Sequence, residues 1–221
     1  MARPRTSKVI VLGAGGHAQV VADILLRAHE AGSSRRPVGY LDDDPELEGS
    51  VLLGLPVLGA IGQLDEFEHD AVIVGMGDNG ARADLFSRLR ARAETIVSAI
   101  HPSAVVAPDV SVGQGVMICA GSVVNTGAVI GDNVILNTGC TVDHGDRIGA
   151  GAHVAPGAHL GGEVTVGQGA LIGIGSIVVR GCRIGEWAVI GAGSVVTKDI
   201  PCFATAVGVP ARVIKRDTPE R

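Results

Sequence analysis

Three histidines stand close together in the second half of the chain: His144, His153 and His159. A neutral imidazole near pH 7 can take a proton from an attacking nucleophile, which makes each a possible general base. Asp143 precedes His144, but adjacent residues on a strand point to opposite faces, so sequence adjacency alone does not pair them. A second kind of chemistry is written near the N-terminus. Gly13-Ala14-Gly15-Gly16-His17-Ala18 fits the pattern GxGxxA and falls between a short apolar run and a helix-patterned run. Backbone N–H groups in such a turn can cradle a phosphate at the positive end of a helix. Asp42 and Asp43 close a second apolar run, where carboxylates can accept hydrogen bonds from ribose or base groups. Asp42 lies 27 residues beyond Gly15, farther than the roughly 20 expected for a nicotinamide dinucleotide. Gly77, Asn79 and Arg82 follow a third run, at the strand end where open α/β sheets bind ligands. For Arg82 a solvated helix face is the alternative reading.

The elements that carry these residues follow two grammars. Residues 1–99 hold 24 charged residues and 12 Gly, whereas residues 100–199 hold 11 and 20. In the second half a six-residue step from Ile100 meets Val106, Val112, Ile118, Val124, Ile130, Leu136 and Val142, and continues aliphatic to Val196. Four residues after a step the side chain is usually small, as at Ser122, Ala128, Cys140, Ala152 and Ser176. Glycine recurs at the corner between. Six residues make one short strand and one turn, and three such units return the chain to its starting edge. The result is an 18-residue triangular coil whose neighbours stack into a parallel β-helix. On that reading Asn125 stacks on Asp143, and Cys119 on Asn137.

The first half alternates strand and helix. Strands are expected over Lys8–Leu12, Val38–Leu41, Ala71–Val74 and Thr95–Ile100, with helices over Ala18–Ala31, Leu64–Phe67 and Ala81–Arg92. The domains expected are 1–99, a small Rossmann-like unit; 100–200, the β-helix; and 201–221, a C-terminal cap or tail.

Composition narrows the function. The chain has 221 residues, 33 Gly and five aromatics, and a net charge of −5. Glycine without a three-residue period is not collagen, and the charge gives no electrostatic case for nucleic acid. The stretch Val110–Gly131 has no charge, but its glycines and its period do not suit a membrane-spanning helix. Four scattered Cys without a CxxC pair form neither a disulfide framework nor a zinc site. A cytoplasmic protein without membrane insertion is expected.

Together these motifs resemble the hexapeptide acyltransferases, in particular the NeuD/PglD-like sugar acetyltransferases. The residues that carry the resemblance are Gly13–His17, Leu41-Asp42-Asp43, Gly77-Asp78-Asn79, Ile135-Leu136-Asn137-Thr138, Val142-Asp143-His144, Ala152–Gly157, Val196–Pro201 and Gly208–Ala211. The resemblance implies a left-handed β-helix and a homotrimer with active sites between neighbouring prisms. It implies acetyl-CoA as co-substrate, no metal, and transfer to the amino group of a nucleotide-linked sugar, expected as a UDP-4-amino-deoxy sugar. His144 would be the general base, assisted by Asp143. Gly13, Ala14, Gly15, Gly16, His17, Asp42, Asp43, Gly77, Asn79, Arg82 and Asn137 would hold the sugar nucleotide. His153, Gly162, Gly173, Ile174 and Ala192 would line the CoA site. Some relatives place a carboxylate directly after the histidine, where this chain has Gly145. A carboxylate tuning His144 would then be Asp143 or come from another subunit.

Other readings stay open from sequence. O-acetylation of a sialic-acid-like sugar needs the same base. A γ-carbonic-anhydrase-like metalloenzyme would use three histidines meeting between subunits. A non-catalytic nucleotide-sugar-binding protein would need neither.

Overall fold

The computed structural model describes residues 6–217. Residues 1–5 of the expected first domain and 218–221 of the expected tail lie outside them. The chain forms two compact units, the first ending at Pro102 and the second beginning at Ser103.

The first unit is a three-stranded parallel sheet. Its strands are β1 (Ser7–Leu12), β2 (Arg35–Leu41) and β3 (Ala71–Val74), in the order β2-β1-β3. Helix α1 (Gly16–Glu30) connects β1 to β2, and α2 (Asn79–Ala91) follows β3. The inner face of α1 buries Ala18, Val21, Ala22, Ile24 and Leu25. On the other side Leu85, Phe86 and Leu89 of α2 pack with Ile10, Leu12, Leu41 and Val72. A sheet covered on both faces needs apolar residues in succession, and Val9–Leu12 supplies them. The short helix expected near Leu64 is a 3-10 turn, Ile61–Glu66.

The expected fourth strand is a correction. Thr95–Ile100 does not run along β3 but touches it at one bridge, Val72↔Ile96. That bridge consists of Val72 N–H to Thr95 C=O (2.9 Å) and Val97 N–H to Val72 C=O (3.0 Å). Pairing with β3 is limited to this parallel bridge, and the last two residues, Ala99–Ile100, form a short strand outside the three-stranded sheet.

The second unit is a left-handed parallel β-helix. Strands pair in parallel with a register of 18, as in Val124↔Val142, Ile130↔Ile148 and Leu136↔Val154. Every six-step aliphatic from Ile118 to Val196 is buried. Val106 and Val112, in the first coil, are only partly buried. All the corner glycines of the repeat, from Gly115 to Gly193, have positive φ. Where that register lacks glycine, the same left-handed backbone is held by Asn133, Glu163 and Trp187, with φ of 58°, 63° and 54°. After Pro201 the chain adds Ala204–Val207 in parallel to Val189–Ile190, then folds Arg212–Arg216 back antiparallel. No helix among the described residues is long and apolar enough to cross a membrane.

Candidate functional site

In the first unit the site is built around an uncapped helix start. Gly15 occupies the N-cap of α1 and supplies no side-chain hydrogen bond, and the first turn has no acidic residue. The leading amides and the positive end of the helix dipole are therefore available to an anion. A Cβ added at Gly15 or Gly16 would meet nothing within 4 Å, so space is open there. Gly13 has φ +106° and faces the Gly75 carbonyl, where a side chain would be strained. Helix α2 differs, because Asp78 Oδ1 accepts from Ala81 N–H at 2.8 Å and caps it.

Asp42 holds this loop in place. Its Oδ2 accepts from Ala14 N–H at 2.6 Å and its Oδ1 from Asp44 N–H at 2.9 Å. Asp43 Oδ1 accepts from Ile61 N–H at 2.9 Å. Asp43, Ile61, Leu85, Arg88, Leu89 and Arg92 line a cavity of about 370 Å³.

Arg82 is not on a solvated face; it is 1% exposed. Its guanidinium donates to the carbonyls of Met76 (3.2 Å) and Gly77 (3.1 Å) and to Asn79 Oδ1 (2.8 Å). It therefore ties together the loop containing Gly77 and Asn79. Burial lowers its pKa to about 10. His17 packs near Gly77. Burial, with the Arg82 charge second, lowers its pKa to about 4, so its imidazole is neutral at pH 7.

In the second unit, His144 and His153 sit in different settings. His144 is on an exposed corner, and among the described residues its imidazole makes no hydrogen bond. The ring lies over Gly162, one coil further on: a Cβ there would strike Nε2 and Cε1. Gly162, expected at the CoA site, thus provides the room for the His144 ring. Asp143 does not reach the ring. Its Oδ1 accepts from the His144 backbone N–H (2.7 Å) and from Asn125 Nδ2 (2.9 Å). Those bonds hold its pKa below the ordinary carboxylate range, the His144 amide contributing most.

His153 is half-buried and its Nε2 lies 3.1 Å from Asn137 Nδ2. Asn137 Oδ1 accepts from Thr138 N–H (2.8 Å) and Cys119 Sγ (3.5 Å), which fixes the orientation of the amide. Its Nδ2 can only donate, so His153 Nε2 must accept and the proton sits on Nδ1. His153 accordingly carries an N–H donor on its other nitrogen. Burial raises the Cys119 thiol to about 12, so it stays protonated. Ile174 is 61% exposed and stacks with the exposed Ala192 one coil on. Gly173 is buried instead, because a side chain there would meet the backbone of residues 190–192. The third histidine donates to or accepts from Thr141 Oγ1 through Nδ1 at 3.0 Å: it is His159.

One residue near His144 was missed in the sequence. Asp146 is fully buried inside the prism. Its signal was legible, because it stands four residues after Val142, where the repeat calls for a small side chain.

This fold and these half-sites define the class. Residues 8–89 match the PglD N-terminal domain, residues 109–144 the hexapeptide repeat of succinyl-transferase, and residues 163–198 the bacterial transferase hexapeptide. The chain belongs to the hexapeptide acyltransferase superfamily. It is 40% identical to PerB from Caulobacter crescentus, solved in complex with CoA and GDP-perosamine. That match covers 94% of this chain and 97% of the other, with a TM-score of 0.87. The acetyltransferase domain of PglB from Neisseria gonorrhoeae is 34% identical over 94% of this chain and 100% of its own, also at 0.87. A curated relative, the UDP-N-acetylbacillosamine N-acetyltransferase of Bacillus subtilis, is 35% identical over 114 residues. That match spans about half of its length (51%).

Proposed function

We propose that the protein transfers an acetyl group from acetyl-CoA to the amino group of a nucleotide-linked amino sugar. The observation that carries this reading is the near full-length likeness to a protein solved with CoA and GDP-perosamine. The open amides of α1 suit a diphosphate; Asp42 braces their loop through the Ala14 amide, and Arg82 braces the separate loop of Gly77 and Asn79. His144, with an uncommitted imidazole, takes the proton. The neutral amine attacks the thioester carbonyl, a C–N bond forms, and the amine proton passes to His144. The tetrahedral intermediate then expels the thiolate, which receives that proton from the imidazolium. His153 Nδ1–H is the donor suited to the carbonyl oxygen as negative charge develops there. A base with a suitable pKa typically contributes about 10²–10⁴-fold. The working unit in this reading is a homotrimer in the cytoplasm.

A UDP sugar was expected from the sequence, whereas the PerB complex holds a GDP sugar. Both belong in the test. Acetyl-CoA is incubated with UDP-4-amino-4,6-dideoxy sugars, GDP-perosamine and hydroxyl-only analogues, and free thiol is followed. Turnover confined to amino sugars supports the reading. Turnover confined to hydroxyl analogues would replace it with O-acetylation.

A further inference from the structure

Asp146 occupies a column of the prism interior whose neighbours one coil away are Ala128 and Val164. A carboxylate buried among aliphatics is costly unless its oxygens are hydrogen-bonded. Both are. Oδ1 accepts from Val164 N–H at 2.8 Å, and Oδ2 accepts from Asp143 N–H at 2.8 Å.

The second bond breaks a pattern. One coil before, Asn125 N–H donates along the ladder to Val142 C=O at 3.0 Å. One coil after, Gly161 N–H donates to Val178 C=O at 2.8 Å. By the same rule Asp143 N–H would donate to Leu160 C=O. It turns inward to Asp146 instead. Among the described residues the pairing of these two strands holds only at Thr141↔His159, whereas the strands before and after pair at two positions. The corner drawn off the ladder is the one that bears His144.

We infer that Asp146 is a positioning residue for His144: its carboxylate captures the Asp143 amide and sets the corner from which the imidazole projects over Gly162. This rests on the reading of His144 as the base. It also answers the absence of a carboxylate directly after the histidine. The acidic group has moved into the core and acts on the backbone.

The test uses Asp146→Ser and Asp146→Asn. Serine fills the same interior position at residues 122, 176 and 194. A crystal structure of Asp146→Ser should show Asp143 N–H returned to Leu160 C=O and the His144 ring displaced. With acetyl-CoA and GDP-perosamine, kcat should fall about 10- to 100-fold, the scale of a small misplacement of a reacting group. Both KM values should stay within about two-fold, with Asn intermediate. Placed on a His144→Ala background, Asp146→Ser should cost nothing more. An unmoved corner, an unchanged kcat, or an equal loss on the His144→Ala background would overturn the inference. Full activity of His144→Ala alone would instead overturn the assignment of the base, and the crystal structure would still decide whether Asp146 sets the corner.

Discussion

The imidazole of His144 lies over the Cα of Gly162, eighteen residues later, in space that any side chain would fill. Gly162→Ala should therefore push the ring aside. We expect kcat to drop at least about ten-fold, while calorimetry shows CoA binding close to wild type. A weakened CoA affinity at unchanged kcat would instead make Gly162 a wall of the CoA site.

Gly16 offers a cleaner probe of the first unit. A side chain there meets nothing, and its backbone is helical. Gly16→Asp puts a negative charge at the open start of α1, where it favours the helix by about 0.3–1 kcal/mol. The thermal midpoint should hold or rise slightly. The KM for the nucleotide sugar should increase several-fold, with that for acetyl-CoA unchanged. Equal KM values in variant and wild type would remove the phosphate from this loop.

Asn137 sets which nitrogen of His153 bears the proton. Asn137→Asp replaces the Nδ2 donor by an acceptor and favours a proton on Nε2. We expect kcat to fall about 10²–10³-fold, the order seen when an oxyanion donor is lost. Nitrogen NMR of the His153 ring should report the exchanged tautomer.

Burial raises Asp146 to about 6 from 3.8, opposed by the amides of Val164 and Asp143 and by the His144 charge, and reinforced by the Asp143 charge. The folded protein thus binds more protons than the unfolded chain between about pH 4 and about pH 6. Across that window the Asp146 contribution makes stability fall as pH rises. Asp146→Asn cannot titrate, so that component of the slope should vanish. Denaturant midpoints in half-unit steps from about pH 4 to about pH 7 measure it. Identical slopes in the two proteins would refute the assignment.

The prism was legible because its period is a steric requirement. An inward aliphatic at every sixth residue and a left-handed corner between leave the sequence little choice. Asn125 and Asp143, and Cys119 and Asn137, were expected to stack, and each pair is hydrogen-bonded. Asp146 sat on the same register, but its carboxylate was overlooked among small residues. The first unit was harder to read. Thr95–Ile100 has strand-forming residues, yet how many of them pair with β3 depends on the path of the chain beside it, which composition does not encode. Arg82 was expected at the sugar nucleotide, and a solvated face stood as the alternative because a helix face is inferred from period alone. Only the fold reveals that the Met76 and Gly77 carbonyls turn inward to meet it.

The unbroken register from Val112 to Val196 also restricts how such a chain can change in length. Inserting one residue would turn every later aliphatic out of the core. A hexapeptide would keep the core but shift each later strand to the next face. Such a shift placed between His144 and Gly162 would part the imidazole from the glycine beneath it. Only whole coils of eighteen residues preserve both core and face. A lineage could lengthen this prism in steps of about 4.8 Å, and every permitted addition would have to fall outside the nineteen residues that join the histidine to its glycine.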